Sequence, residues 1–148
     1  MVRIRSMLME DCKAVHEIEQ QCFADSWSYS MFEELFRYPS NCYFVAENQG
    51  EVCGFAGILV TIETADVMNI GVHPAYRQQG IGRMLLNALM DEAKQRGCQQ
   101  MLLEVRESNQ IAIQLYESCG FSQIAVRKKY YSQPLEDGLV MQCDLKRS

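Results

Sequence analysis

Two glycines stand at the start of a predicted helix, in the sequence RQQGIGRMLL of residues 77–86. The first backbone N–H groups of a helix have no partner within the helix, and the helix dipole is positive at that end. Gly80 and Gly82 leave these groups uncovered, while Arg77 and Arg83 add positive charge at the two ends of the turn. The arrangement favours a phosphate-binding turn. A helix entry that is relaxed by glycine and binds no ligand is the alternative, and spacing alone leaves it open.

Two other phosphate-binding motifs are excluded by spacing. The nucleotide P-loop requires a Gly-Lys pair, and the chain contains none. A Rossmann turn requires a third glycine three residues after the second, and that position is Leu85.

Metal and disulfide chemistry are not predicted. The seven cysteines are scattered and never spaced C-x-x-C, and the chain has only two histidines. A net charge of −5 argues against direct nucleic-acid binding, which needs a basic stripe. No apolar run approaches the roughly 18 residues of a membrane span, and no signal-peptide hydrophobic region is visible. We therefore expect a cytoplasmic protein that does not bind membranes.

The turn must be positioned by the elements on either side of it. Hydrophobic periodicity predicts one α/β domain over residues 1–148, with a mixed sheet covered by helices. The expected order is β, α, α, β, β, β, α, β, α, β, β. Strands are predicted at 2–7, at 41–60 as a hairpin turning at 47–51, and at 65–72, 98–105, 121–131 and 138–145; helices are predicted at 9–23, 29–38, 81–97 and 109–120.

The sequence RQQGIG at 77–82 matches the R/Q-x-x-G-x-G/A signature of the GNAT superfamily of acetyl-CoA-dependent N-acetyltransferases. Three longer stretches, at 69–82, 102–121 and 127–141, resemble the RimI-type ribosomal-protein alanine N-acetyltransferases, and the similarity runs from about residue 3 to 143. The resemblance implies a GNAT fold, with about seven strands, about four helices and a sheet splayed between the fourth and fifth strands. The chain departs from the family at Ser26, which replaces the usual proline before Trp27.

The resemblance implies that acetyl-CoA is the co-substrate and that no metal takes part. In the family, the cofactor pairs with free backbone groups of the fourth strand, and an N–H near residues 70–72 meets the thioester oxygen. Gly71 permits close approach there. The residues implied to bind the cofactor are Ile70, Gly71, Val72, Arg77, Gln78, Gln79, Gly80, Ile81, Gly82, Arg83, Asn109 and Tyr116.

Two residues are candidates for moving protons. Glu104 lies on a predicted strand between apolar neighbours, where partial removal from water makes a carboxylate a better base. The alternative is an ion pair with Arg106 or Lys94. Tyr116, on the following helix, is the candidate acid, although a helical tyrosine is more often a core residue with a satisfied hydroxyl. The resemblance favours both catalytic roles, and it gives the predicted N-cap Asn109 a second role in binding the cofactor.

A covalent acyl-enzyme is the other mechanism to consider. Neither histidine lies in a recognisable Cys/His motif, so direct transfer to the amine is favoured.

The resemblance implies that the acceptor is a protein N-terminus, most simply the N-terminal alanine of a ribosomal protein. Acetyltransferases of small amines such as polyamines or antibiotics, of protein lysine, and a noncatalytic acetyl-CoA-binding module are the alternatives. We expect a monomer or weak dimer. The residues expected to contact the acceptor are Trp27, Tyr130, Tyr131, Glu136 and Asp137.

Overall fold

The computed structural model describes residues 1–145, and its elements follow the predicted order. Their ends differ from the sequence-based bounds by a few residues. Short 3-10 turns at Met9–Asp11, Leu35–Arg37 and Pro74–Tyr76 extend or precede the longer elements. The elements are β1 (Val2–Ser6), α1 (Cys12–Cys22), α2 (Tyr29–Glu34), β2 (Asn41–Asn48), β3 (Glu51–Val60), β4 (Thr64–Val72), α3 (Ile81–Gln95), β5 (Gln100–Arg106), α4 (Gln110–Ser118), β6 (Ser122–Tyr131) and β7 (Glu136–Asp144).

The sheet is buried on both faces at its centre. On β3, Phe55 packs with α1 and α2, whereas Ala56 and Ile58 pack with α3 and α4. This explains why β3 is a continuous apolar run rather than an alternating one. The apolar face of α3 is buried as its periodicity predicts, with Leu86 joining it and the predicted Ala88 only partly covered.

The strand order in the described residues is β1-β2-β3-β4-β5-β7-β6. β4 and β5 are the parallel neighbours, and they pair only where residues 64–66 of β4 face residues 100–102 of β5. Beyond this point β4 stays with β3 and β5 stays with β7. A bulge at Met68, where Val67 and Asn69 pair with adjacent residues of β3, marks the divergence. The predicted mixed α/β sheet with an opening between its fourth and fifth strands is confirmed.

This opening, here called the splay, is bounded by residues 67–72 of β4 and 103–106 of β5. Backbone groups along its two edges have no partner on the opposite strand. The splay is therefore a slot with backbone hydrogen-bonding groups along both edges. The end of β4 leads from it directly into the glycine turn before α3.

No helix within residues 1–145 is long and apolar enough to cross a membrane. No group of three or more histidine, cysteine, aspartate or glutamate side chains in the same range is placed to hold a metal ion. All seven cysteines are free thiols.

Candidate active site

The glycine turn presents uncovered backbone amides at the start of α3. Gly80 is the N-cap residue with φ of +80°, a left-handed conformation that glycine adopts without strain, and no side chain caps the helix. The Met84 amide donates to the Gly80 carbonyl (3.1 Å), so the amides of residues 81–83 precede the first bond within the helix. A Cβ at Gly80 would meet nothing within 4 Å. The turn is thus open and positive, and it fits a phosphate group.

The two arginines of this turn flank it. Arg77 donates from Nε to the Val72 carbonyl (3.2 Å), at the end of β4. Arg83 donates from Nη2 to Ser118 Oγ (2.6 Å), which ties α3 to the end of α4. Both side chains are exposed, as are Gln78 and Gln79, and they add positive charge beside the amides without covering them. The structure therefore places the predicted cofactor residues 77–83 together on one exposed turn.

The end of β4 brings residues 70–72 to the splay. Ile70 and Val72 pair with β3 on one side and have no β5 partner on the other. A Cβ at Gly71 would lie 3.0 Å from the Phe55 ring and 3.4 Å from Cys22 Sγ, so a side chain there would force the Phe55 ring to shift. Close approach of the acyl group to Gly71 stays a prediction.

Glu104 lies on β5 opposite Val140 of β7, with its carboxylate partly exposed. Tyr130 donates its hydroxyl to Glu104 Oε1 (2.8 Å), and the guanidinium of Arg127 forms an ion pair with Oε2. An ion pair thus exists, but the partner is not Arg106 or Lys94 as the sequence alternative expected. Arg106 instead pairs with Glu136 (3.1 Å).

Tyr116 lies on α4 with 6% of its surface exposed, and its ring packs near Phe121 with centroids 5.9 Å apart. Burial, and after it the nearby Tyr131, raises the pKa of Tyr116, so the hydroxyl keeps its proton in the neutral range. Within residues 1–145 the hydroxyl forms no hydrogen bond, and no buried side-chain oxygen or nitrogen in that range lacks a partner, so the hydroxyl oxygen reaches the surface although the ring is buried. An accessible hydroxyl donor is what a proton-delivering residue would present.

Tyr131 links these two candidates. Its pKa is raised to about 12, first by burial and then by the charge of Glu104 and by Tyr130. Its ring meets Tyr130 edge to face (4.9 Å between centroids), and the Arg106 guanidinium lies 4.6 Å from the ring centroid. The predicted acceptor tyrosines and the predicted base are therefore neighbours on the face of the sheet away from α3 and α4.

Glu136 and Asp137 are bonded within the chain. Glu136 accepts from the Ser108 amide (2.6 Å) and from Arg106, and these contacts, led by Ser108, hold its pKa below the ordinary value. Asp137 accepts from the Lys129 amide (2.9 Å) and pairs with Lys128, which lowers its pKa in the same way. Asp137 therefore holds the β6–β7 hairpin together, and Glu136 ties that hairpin to the end of β5 and the connection that follows it. The contact of both carboxylates with a peptide stays a prediction.

The loop of residues 23–28, between α1 and α2, reaches the same region. Asp25 accepts from Ser132 Oγ (3.5 Å) in the turn between β6 and β7. The Trp27 ring packs on Phe32, with centroids 5.2 Å apart. Two segments distant in sequence, both predicted to contribute to the acceptor site, therefore meet at Ser132, two residues after Tyr130, whose hydroxyl donates to Glu104.

Asn109 caps α4 as predicted. Its Oδ1 accepts from the Ala112 amide (3.2 Å), which leaves the side-chain nitrogen available for another partner.

The sequence analysis missed a buried carboxylate, Glu19 on α1. It lies four residues after Val15 and three before Cys22, on the apolar face of the helix. A charged residue in that position is a signal, because buried carboxylates occur where partners compensate them. Its partners are Trp27 and Asn69.

Comparisons with known proteins bear on this geometry. A model of the acetyltransferase (GNAT) family matches residues 12–121. The ribosomal protein bS18-alanine N-acetyltransferase of Escherichia coli strain K12 is 39% identical over 142 residues, which cover 93% of this chain and 94% of the relative. The match to the family extends over the glycine turn, the splay and the strand that carries Glu104.

Solved structures of acetyltransferases superpose on this fold. The crystal structure of the ribosomal-protein-S18-alanine N-acetyltransferase from Escherichia coli superposes with a TM-score of 0.92 at 36% identity, covering 100% of this chain and 96% of that one. A Salmonella typhimurium protein whose structure holds its cofactor acetyl-CoA superposes with a TM-score of 0.85 at 25% identity, over 99% of this chain and 95% of its own.

Proposed function

This chain belongs to the GNAT family of acetyltransferases, and we propose that it acetylates the N-terminal α-amino group of a protein with acetyl-CoA as donor. The proposed acceptor is the N-terminal alanine of a ribosomal protein, the substrate for which the Escherichia coli relative is named. One observation carries the proposal: the splay has Glu104 on its β5 edge, and its β4 edge leads into an uncapped helix turn. Such an acceptor implies that the reaction takes place in the cytoplasm.

The cofactor would be held at two places that the structure provides. Backbone amides of residues 80–83 would bind the pyrophosphate, with Arg77 and Arg83 beside it. The free edge of residues 70–72 would orient the acyl end, and one N–H there would stabilise the negative charge that develops on the thioester oxygen in the transition state by about 3 kcal/mol in a dry site. Bound acetyl-CoA supplies the activated acetyl group.

Glu104 would take the proton of the acceptor amine at Oε1 or Oε2, directly or through water. An α-amino group has a pKa near ~8, so a modest base is sufficient at neutral pH. Tyr130, which already donates to Oε1, keeps the carboxylate in place while the proton moves.

Tyr116 would hold, at its hydroxyl, the proton that the departing sulfur needs. Its raised pKa keeps the hydroxyl protonated, and its lack of a partner among residues 1–145 leaves the proton free to be given. Because base and acid are separate side chains, no cysteine needs to carry the acetyl group.

The proposal is tested with labelled acetyl-CoA and matched acceptors. The first is a short peptide that begins with alanine and contains one lysine, the second is the same peptide with its N-terminus blocked, and the third is spermidine. We expect label only on the first. Label on the blocked peptide would identify a lysine acetyltransferase, and label on spermidine alone would identify a small-amine acetyltransferase.

A cellular test follows the natural acceptor. Mass spectrometry of ribosomal proteins from cells lacking this chain should show one amino terminus that has lost its acetyl group. An unchanged set of amino termini would contradict the ribosomal acceptor.

A further inference from the structure

A buried polar network joins the loop of residues 23–28 to β4. Glu19, with 2% of its surface exposed, accepts from the Trp27 amide at Oε2 (2.9 Å). Its other oxygen, Oε1, accepts from Asn69 Nδ2 (3.4 Å). Asn69 in turn accepts at Oδ1 from the hydroxyl of Tyr43, and both of these residues are buried.

Filling this space with a buried polar network costs free energy. Removing a carboxylate from water costs free energy, and burial raises the pKa of Glu19 despite the bonds from Trp27 and Asn69. An apolar side chain would pack here without that cost. The carboxylate is explained if its two hydrogen bonds do something that packing alone does not.

The two ends of the network lie at the two halves of the proposed reaction. Trp27 belongs to the loop that meets the β6–β7 turn beside the acceptor tyrosines. Asn69 lies between the bulge at Met68 and Ile70, where the acyl end of the cofactor is proposed to bind. Glu19 is the bridge between them.

We propose that Glu19 is a positioning residue, which fixes the acceptor loop at Trp27 against β4 and thereby holds this loop in the position that binds the acceptor peptide. This inference rests on the proposed function. It concerns acceptor binding only, because no atom of Glu19 reaches the glycine turn or Glu104 in the contacts described above.

The chemistry of the network gives a specific test. Both oxygens of Glu19 accept hydrogen bonds. In Glu19→Gln, one of these acceptors becomes an NH₂ group, which would face another donor instead of an acceptor. Turning the Asn69 side chain would relieve that clash but would leave the Tyr43 hydroxyl proton without its acceptor. Either way one buried donor is unpaired.

A double variant restores the pattern. In Glu19→Gln with Asn69→Asp, the glutamine oxygen accepts from the Trp27 amide, its NH₂ donates to the new carboxylate, and that carboxylate accepts from Tyr43. Net charge and volume are unchanged. Glu17→Gln, at an exposed position on the same helix, is the matched control.

Trp27 is the only tryptophan in the chain, so its fluorescence reports directly on the loop. We expect Glu19→Gln to increase quenching by acrylamide and to raise the KM for the peptide about tenfold, with kcat and the KM for acetyl-CoA little changed. The double variant should return both values to those of the wild type. Glu17→Gln should change neither.

Quenching and peptide KM that are unaltered in Glu19→Gln would overturn the proposal, as would a folded double variant that keeps the elevated KM. If Glu19→Gln does not fold, the double variant decides: recovery of folding, quenching and KM supports the proposal, and failure of the double variant to fold overturns it. A wild type that acetylates no peptide contradicts the proposed function, whereas quenching tests the loop independently of activity.

Discussion

At the scale of single residues, the two proposed proton carriers differ sharply in environment. Glu104 lies on an open sheet face and is engaged by Tyr130 and Arg127. Tyr116 is buried and unbonded within residues 1–145. The Arg127 side chain is more than half exposed. Under the proposed mechanism, an incoming ammonium group would replace this cation at the carboxylate and then lose its proton there.

The first prediction concerns these two residues. Glu104→Gln should lower kcat about a hundredfold or more, because the amide cannot accept the proton, and Tyr116→Phe should lower kcat by a similar factor. Calorimetry should show acetyl-CoA binding retained in both. Cys119→Ala is the control, because direct transfer needs no thiol. Equal loss of activity in Cys119→Ala and Glu104→Gln would contradict direct transfer.

At the scale of elements, periodicity was sufficient to predict the order of strands and helices. The hairpin at 41–60 and the helix at 81–97 follow from local patterns, and both are confirmed. The position of β7 between β5 and β6 was not predictable from such patterns, because register between distant strands depends on packing across the whole sheet. Arg127 of β6 reaches Glu104 of β5 across this inserted strand, while Arg106 pairs with Glu136 of β7.

Local sequence patterns likewise predicted only part of the candidate site. The glycine turn was found from local spacing, whereas roles for Glu104 and Tyr116 came from family resemblance. The network at Glu19 was missed because its partners Trp27 and Asn69 are brought together only by the tertiary fold. Local sequence showed that the carboxylate was unusual, but it contained no information on what would compensate it.

The second prediction concerns the turn before α3, which both begins the helix and is proposed to bind the pyrophosphate. A carboxylate in the first turn of a helix stabilises it by about 0.3–1 kcal/mol, but at this turn it would repel a pyrophosphate. Gly82→Asp should therefore keep or raise the free energy of unfolding while weakening acetyl-CoA binding roughly tenfold or more. A Cβ at Gly82 meets only the end of the Leu115 side chain (3.2 Å), which can move.

Denaturant unfolding and calorimetry measure the two quantities. Gly82→Asn is the matched control, with the same shape and no charge. Electrostatic repulsion predicts that the asparagine variant binds acetyl-CoA more tightly than the aspartate variant. Equal binding by the two would show that the turn does not hold an anion.

At the scale of the whole molecule, ion pairs connect distant segments of the sheet. Arg5 of β1 pairs with Asp11 at 2.8 Å and with Glu47, which lies on β2, at 2.7 Å. Burial alone would raise the pKa of Asp11, but the bonds from Arg5 and the Leu8 amide outweigh it and hold that pKa low. Hydrogen bonds from Arg3 and then Arg5 lower the pKa of Glu47. Near the opposite edge, Glu136 and Asp137 of β7 have lowered pKa values as well.

The third prediction follows because the pKa values of these paired carboxylates are lowered, whereas the pKa of Glu19 is raised. Carboxylates with lowered pKa values bind protons more weakly when folded than when unfolded, so their stabilisation is present above about pH 4 and is lost as the pH falls further. Glu19 has a raised pKa, so the folded state binds its proton more readily. Its contribution therefore increases stability as the pH falls through that raised value toward about 4.3.

The free energy of unfolding should accordingly rise modestly on acidification from neutral pH and then fall steeply below about pH 4. Urea unfolding followed by circular dichroism over a series of pH values measures this curve. Glu19→Gln should reduce the rise while leaving the acid loss, because only the lowered carboxylates cause that loss. Part of the rise should remain, since burial and then the charge of Glu104 also raise the pKa of Asp66. Glu136→Gln should reduce the acid loss while leaving the rise. A wild-type curve that climbs without a maximum down to about pH 3 would contradict the assignment, since the paired carboxylates would then not be stabilising the fold.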